Sequence, residues 1–121
     1  MKLEKLDPKI DNRGVLVEAF KLPSDGQVFY VDLDPGQTRG NHYHKRKTER
    51  FIVVFGVAEI QSRDRDSGNV MKVELSYTSP MCVTIPPNNT HNISSDDGAI
   101  FLVWCDEIFD ENDPDTYPEE I

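Results

Sequence analysis

The sequence predicts an all-β domain, a sandwich or closed barrel, and three observations lead there. No stretch of eleven or more residues carries apolar positions at i, i+3, i+4 and i+7. Short runs rich in Val, Ile, Phe and Tyr recur along the chain. Turn residues separate those runs at frequent intervals.

Each expected strand follows from its own run and its own break. The first, 16–20, opens after the turn Asp-Asn-Arg-Gly at 11–14. The second, 27–33, lies between Pro-Ser-Asp-Gly at 23–26 and Asp-Pro-Gly at 34–36. Strands 40–43 and 49–55 flank a polar turn at 45–48, and 58–63 follows Gly56. Asp-Ser-Gly-Asn at 66–69 precedes strand 70–75, and 81–85 is the next apolar run. Pro-Pro-Asn-Asn at 86–89 sets off a short strand at 91–94, and the apolar run 100–107 closes the series. The whole chain, 1–121, is expected to be one domain: an N-terminal arm at 1–15, the barrel at 16–108 and an acidic tail at 109–121. The tail's Asp-Glu-Asn-Asp-Pro-Asp-Thr-Tyr-Pro composition predicts irregular, solvated structure on the surface.

Charge narrows the class of partner. The net charge is −9, no Lys or Arg follows Lys72, and residues 106–120 carry eight carboxylates. A nucleic-acid binder needs the opposite balance, so that class is set aside. The basic residues gather at Arg39, Lys45, Arg46, Lys47 and Arg50, a rim that could attract an anion such as a phosphate or serve as a solvated loop. The N-terminus lacks the apolar core of a secretion signal, and no run approaches the length of a membrane helix. A cytoplasmic location with no membrane partner is therefore expected, and the sequons at Asn88 and Asn92 are read as chance matches. Cys82 and Cys105 sit in apolar runs and are expected to be buried free thiols.

Chemistry concentrates between Gly36 and Gly56. Strand alternation puts His42 and His44 on one face, and the turn at 45–48 returns the chain so that Glu49 stands opposite them. From Glu49 the same face continues through Phe51 and Val53 into an apolar interior. Two imidazoles and a carboxylate would be costly to bury unpaired, whereas one divalent cation compensates all three. The remaining histidine, His91, stands behind the stiff proline turn and completes a three-His, one-Glu ligand set.

Gly36-X5-His42-X-His44-X4-Glu49-X6-Gly56 matches the first cupin motif at every fixed position. The second motif is half kept: Pro86 and His91 stand, while its glycines and final Asn give way to Pro80, Asn88 and Ser95. Asp11-Asn-Arg-Gly14, Thr38-Arg-Gly-Asn-His-Tyr-His44, Lys47-Thr-Glu-Arg-Phe51, Ile85-Pro-Pro-X-X-Thr-His-Asn-Ile93 and Trp104-X-X-Glu-Ile-Phe-Asp-X-X-X-Pro-Asp-Thr-Tyr117 extend the likeness over almost the whole chain. In these segments the chain resembles the C-terminal cupin domain of capsular polysaccharide-assembling proteins. The resemblance implies a cupin double-stranded β-helix (jelly-roll barrel), a bound zinc, a homodimer, and C3 epimerisation of a UDP-4-keto-6-deoxy-N-acetylhexosamine. In those proteins a reductase domain then reduces C4; this sequence does not include it and is either a free-standing relative, with a separate reductase as partner, or an excised domain. Arg39 to His44 also resembles the wider group of nucleotide 4-keto-sugar epimerases and ketoisomerases, some of them metal-free.

The expected mechanism follows from that likeness and from elementary acid–base chemistry. A metal held by His42, His44, Glu49 and His91 would polarise the C4 ketone while a nearby group moves the C3 proton. Zinc is implied by the resemblance, and iron, manganese or nickel suit the same ligands. Lys47, Tyr43 and Glu107 are the candidates for that group; Tyr30 is another and is placed with Arg39, whose guanidinium matches a diphosphate, in substrate binding. Phe51, Phe55, Phe101 and Trp104 are expected in the core or at a dimer contact. Three other functions remain open: a metal-free ketoisomerase with His42 or His44 as base, an iron-dependent cupin dioxygenase, and a non-catalytic sugar-binding barrel with a structural metal.

Overall fold

The computed structural model describes every residue except Arg13, Val17 and 21–24, and at 14–16 it describes the backbone alone. Eleven strands are present among the described residues: β1 (Lys2–Lys5), β2 (Lys9–Asp11), β3 (Gly14–Leu16), β4 (Gln27–Leu33), β5 (Gln37–Tyr43), β6 (Glu49–Asp64), β7 (Val70–Ser76), β8 (Met81–Ile85), β9 (Asn89–Ser95), β10 (Ala99–Cys105) and β11 (Tyr117–Pro118). No helix occurs among those residues. β2 and β3 form a small separate hairpin, and the other nine strands join into the jelly-roll barrel of a cupin.

One strand organises the barrel. The sequence divides 49–63 into two strands at Gly56, but the structure runs them together as the 16-residue β6. Its first half pairs with β8 and β10, with β4 beyond β10 and β1 beyond β8. Its second half pairs with β7 and β9, with β5 and then β11 beyond β9. β6 thus belongs to both walls, and the change of wall coincides with a bulge. Ile100 faces Phe55 and Phe101 faces Val53, leaving Val54 as the extra residue. An extra residue shifts the two-residue period by one. Accordingly Glu49, Phe51 and Val53 are buried before the bulge, and Ala58, Ile60 and Ser62 after it.

The interior is filled by these residues together with Leu33, Leu75, Val83, Ile85, Ile93, Phe101 and Val103. Burying a side chain of this size contributes about 1.5–3 kcal/mol each, so the alternation fixes both register and stability. Phe51, Phe101 and Trp104 are buried as expected, whereas Phe55 is exposed and packs against Tyr77 at a ring separation of 5.6 Å. Cys82 and Cys105 are buried and free.

Two expectations need correction. The connection 45–48 does not return the chain beside its own strand: β5 pairs with β9 and β11, while the start of β6 pairs with β8 and β10. The chain instead crosses from one wall to the other, so Glu49 meets the histidines across the interior. The strand expected at 16–20 includes Val17, outside the described residues; Leu16 ends β3, and 18–20 are not in a strand. The turns expected at 11–14 and 23–26 likewise contain Arg13, Pro23 and Ser24, which lie outside the described residues.

The C-terminal segment is mostly irregular, as its composition predicts, yet it is not simply solvated. β11 pairs with β5 at Tyr117–Tyr43 and Pro118–His42, and Asp115 is only 1% exposed. The N-terminal arm is also tied in, with β1 lying on β8.

Candidate metal centre

Two local backbone features aim the histidines. Gly40 has φ +96° and Asn41 φ +53°, and the β5–β9 register slips there, so His42 comes to lie directly opposite His91. A side chain at Gly40 would stand 2.8 Å from the His91 carbonyl oxygen, so only glycine allows the strands this close. Asn88 takes φ +62° where the second cupin motif has glycine. Asparagine tolerates that left-handed conformation, so the lost glycine does not cost the turn that precedes His91.

The four expected ligands converge. One ligand atom from each of His42, His44, Glu49 and His91 lies within 4.8 Å of the others. His44, Glu49 and His91 are buried, and His42 is half-buried. His44 Nε2 and His91 Nε2 lie 2.7 and 2.9 Å from the same oxygen, Glu49 Oε1. The other ring nitrogens face main-chain carbonyls: His44 Nδ1 is 2.6 Å from Asp115 O, and His91 Nδ1 is 2.9 Å from Asn89 O. The Cys105 thiol donates to Glu49 Oε2 at 3.5 Å.

This arrangement fits a divalent cation. A neutral imidazole has one N–H and one lone pair. If Nδ1–H donates to a carbonyl in each ring, Nε2 presents its lone pair toward the Glu49 carboxylate. Lone pairs converging on a carboxylate repel unless a cation lies among them, and carbonyl-held Nδ1–H groups are how proteins orient imidazoles on metals. Three nitrogens and one carboxylate oxygen suit zinc and several other divalent metals.

Where no cation lies among these groups, a proton on Nε2 bridges the same contact, and the electrostatics of the cluster reflect that hydrogen bond. Burial, followed by His91 and His44 beside it, pushes the His42 pKa down to about 4, so the ring is an uncharged donor at neutral pH. Burial works against charge on His44 too, but contact with Glu49 and the Asp115 carbonyl overcomes it and holds that pKa above its usual value. For Glu49 burial opposes ionisation, and the bonds from His44 and His91 outweigh it, holding the carboxyl well below its ordinary range. Burial and the adjacent Glu49 push the Cys105 thiol up to about 12, so it acts as a neutral donor that orients the carboxylate.

A cavity of about 440 Å³ opens onto this cluster between β4 and β5. His42, Glu49 and His91 line it together with Phe51 and Phe101, and Tyr30 and Arg39 stand at its exposed rim. Tyr30 and Arg39 thus share one cavity with His42, Glu49 and His91. Tyr43, Lys47 and Glu107 are outside its lining. Tyr43 stacks on Tyr117 at 5.2 Å under the Arg65 guanidinium. Lys47 is buried and its Nζ donates to Pro114 O at 2.9 Å; its charge still weighs on His42 and His44. Glu107 is held by Arg46 at 2.8 Å.

Three contributors went unread in the sequence. The carbonyls of Asp115 and Asn89 carry no side-chain signature at all, and Cys105 resembles any core thiol. The only pointer to Asp115 was its place within Pro-Asp-Thr-Tyr, one of the segments carrying the family likeness.

Residues 9–117 match the family model of the polysaccharide biosynthesis C-terminal domain. The chain is 36% identical over 109 residues to a UDP-2-acetamido-2,6-beta-L-arabino-hexul-4-ose reductase of Pseudomonas aeruginosa, covering 88% of this chain and 29% of that protein. It superposes on the capsular polysaccharide assembling protein CapF of Staphylococcus aureus with a TM-score of 0.76 at 37% identity, over 96% of this chain and 34% of that one. It also superposes on QdtA, a sugar 3,4-ketoisomerase from Thermoanaerobacterium thermosaccharolyticum in complex with TDP, with a TM-score of 0.77 at 25% identity, over 95% of this chain and 85% of that one. The chain therefore spans about a third of the length of the first two.

Proposed function

The chain belongs to the polysaccharide biosynthesis C-terminal domain family, and from that premise we propose that it is a metal-binding epimerase or isomerase. Its substrate in this reading is a nucleotide-linked 4-keto-6-deoxy sugar destined for surface polysaccharide. One observation carries the reading: the His42, Glu49 and His91 side of the cluster lines a cavity wide enough for a sugar, with a guanidinium at its rim. A purely structural metal site would be closed on all sides. The names of the relatives support it, since one acts on a UDP-linked 4-ulose and another is a ketoisomerase with bound TDP.

In this mechanism Arg39 receives the diphosphate at the rim, and Tyr30 flanks the nucleotide. His42, His44, Glu49 and His91 hold one divalent ion, zinc by the family likeness. When bound, that ion supplies Lewis-acid stabilisation of the enolate oxygen that forms as the C3 proton leaves. Phe51 and Phe101 exclude water from the cavity wall, which strengthens every charge interaction inside it. Of the residues considered for proton transfer at C3, Tyr30 lines the cavity, whereas Lys47 lies outside its lining with its Nζ donating to Pro114 O. Tyr43 and Glu107, engaged by Tyr117 and Arg46, hold the surrounding loop.

A homodimer is part of the same reading. The wall that contains β4 and β10 exposes Val28 and Val54, and β4 pairs only with β10 among the described residues. Exposed apolar surface beside an unpaired edge is costly for a lone chain. A reductase acting on C4 would complete the product.

The test is elemental analysis of the purified chain, followed by C3 proton exchange of a UDP-4-keto-6-deoxy sugar in deuterated water. About one zinc per chain, lost in His91→Ala, with exchange abolished in His44→Ala, is the expected result. Exchange that survives in His44→Ala without metal would overturn the Lewis-acid role. One iron per chain with oxygen uptake would instead mark a dioxygenase.

A further inference from the structure

The acidic C-terminal segment contains one residue that does not behave as a tail. Asp115 is 1% exposed, although no ligand atom of its own belongs to the cluster. Its carboxylate accepts three main-chain N–H groups, from Lys45 at 3.0 Å, Arg46 at 3.0 Å and Lys47 at 3.1 Å. Those three residues are the first three of the four, 45–48, that connect the ligands His44 and Glu49. Its own carbonyl takes His44 Nδ1 at 2.6 Å. Both groups can face one short loop because Asp115 adopts φ +49°, an uncommon conformation for a residue with a side chain.

The flanking residues engage the same stretch. Pro114 O accepts from Lys47 Nζ at 2.9 Å, and Tyr117 and Pro118 pair with Tyr43 and His42. Each residue from His42 to Lys47 is therefore contacted from the segment 114–118. A solvated tail would have no reason to bury a carboxylate, since burial without partners is costly.

We propose that Asp115 is a positioning residue for the metal centre. Its carbonyl fixes the tautomer and plane of His44, and its carboxylate holds the crossing that keeps His44 and Glu49 at ligand distance. The segment 114–118 is then part of the site. This rests on the reading of the four-residue cluster as a metal centre, and metal affinity tests the two separately.

Zinc affinity would be measured by competition with a chromophoric chelator, and ligand geometry by the visible absorption of the cobalt-loaded chain. Groups that orient metal ligands typically change affinity by about 10–100-fold when lost. Asp115→Ala should therefore weaken zinc binding about 10–100-fold and alter the cobalt bands. Asp115→Asn, which retains one acceptor oxygen, should fall between. Thr78→Ala, which loses only an exposed side-chain bond with Ser76 Oγ outside the site, should match the wild type. Wild-type affinity and spectrum in a folded Asp115→Asn chain would overturn the proposal. If neither variant folds, hydrogen exchange of the wild-type chain decides: zinc must slow exchange at the amides of Lys45, Arg46 and Lys47, and its failure to do so refutes the idea. A wild-type chain that binds no divalent metal defeats the metal-centre reading itself.

Discussion

Gly40→Ala should damage both the fold and the metal centre, and the size of the effect can be worked from the backbone. Gly40 sits at φ +96°, and an added Cβ would stand 2.8 Å from His91 O and 3.0 Å from Asn92 Cα. Placing a residue with a Cβ in left-handed territory costs about 1–2 kcal/mol. Forcing it against backbone that cannot rotate away adds about 1–3 kcal/mol. The sum is roughly 2–5 kcal/mol. An unfolding entropy of about 2.1 cal/mol/K per residue gives about 0.25 kcal/mol/K for 121 residues, so Tm should fall by about 8–20 °C. Gly68→Ala is the control, because Gly68 has φ +79° with open space around it and should lose only the conformational part, about 4–8 °C. Both variants would be melted by circular dichroism without metal, and zinc affinity measured in parallel. Separation of β5 from β9 also moves His42 away from His91, so Gly40→Ala should bind zinc less tightly while Gly68→Ala does not. Equal Tm losses in the two variants would refute the claim that the close approach of the strands, and not φ alone, demands glycine here.

Two further outcomes test the electrostatics and the assembly. The His42 pKa lies near 4 in the folded chain against 6.5 unfolded, so the unfolded chain binds the extra proton within that window and stability falls as pH drops from 6.5 to 4. His44, with its pKa raised, has the opposite sign: it contributes stability fully present below 6.5 and lost above. Comparing metal-free wild type with His42→Gln isolates the first effect, and the variant's Tm relative to wild type should climb as pH falls from 6.5 to 4; a flat difference contradicts it. For the assembly, sedimentation at micromolar concentration should give twice the chain mass, and Val28→Glu should return it to one; a monomeric wild type ends the homodimer reading.

The four-residue cluster was legible in the sequence for a definite reason. His42 and His44 share a strand, so the two-residue period alone puts them on one face, and Glu49 heads an apolar run whose alternation points it inward. All three depend on local geometry that residue spacing encodes. His91 was within reach because its proline turn carries a motif, and Asn88 preserves the needed backbone where glycine is missing. The crossing at 45–48 was misjudged because a short polar connection has the same appearance whether it closes a hairpin or passes between two walls. Which it does is settled by the partners of β5 and β6, residues dozens of positions away.

By itself, then, the sequence determined the all-β class, the inward face of the run from Glu49 to Val53 and the four residues with metal-binding chemistry, because these rest on periodicity and side-chain type. Only the tertiary structure decided that β6 is one strand serving two walls, that the cavity opens between β4 and β5, and that Tyr30 and Arg39 reach its rim while Tyr43 and Glu107 do not. It also decided that Asp115, in the most acidic and least patterned stretch, closes around His44. The physical reason is the nature of that contact. Carbonyl oxygens and peptide N–H groups exist at almost every residue, so a site they complete leaves no mark in composition and appears only when distant backbone is brought within hydrogen-bond distance.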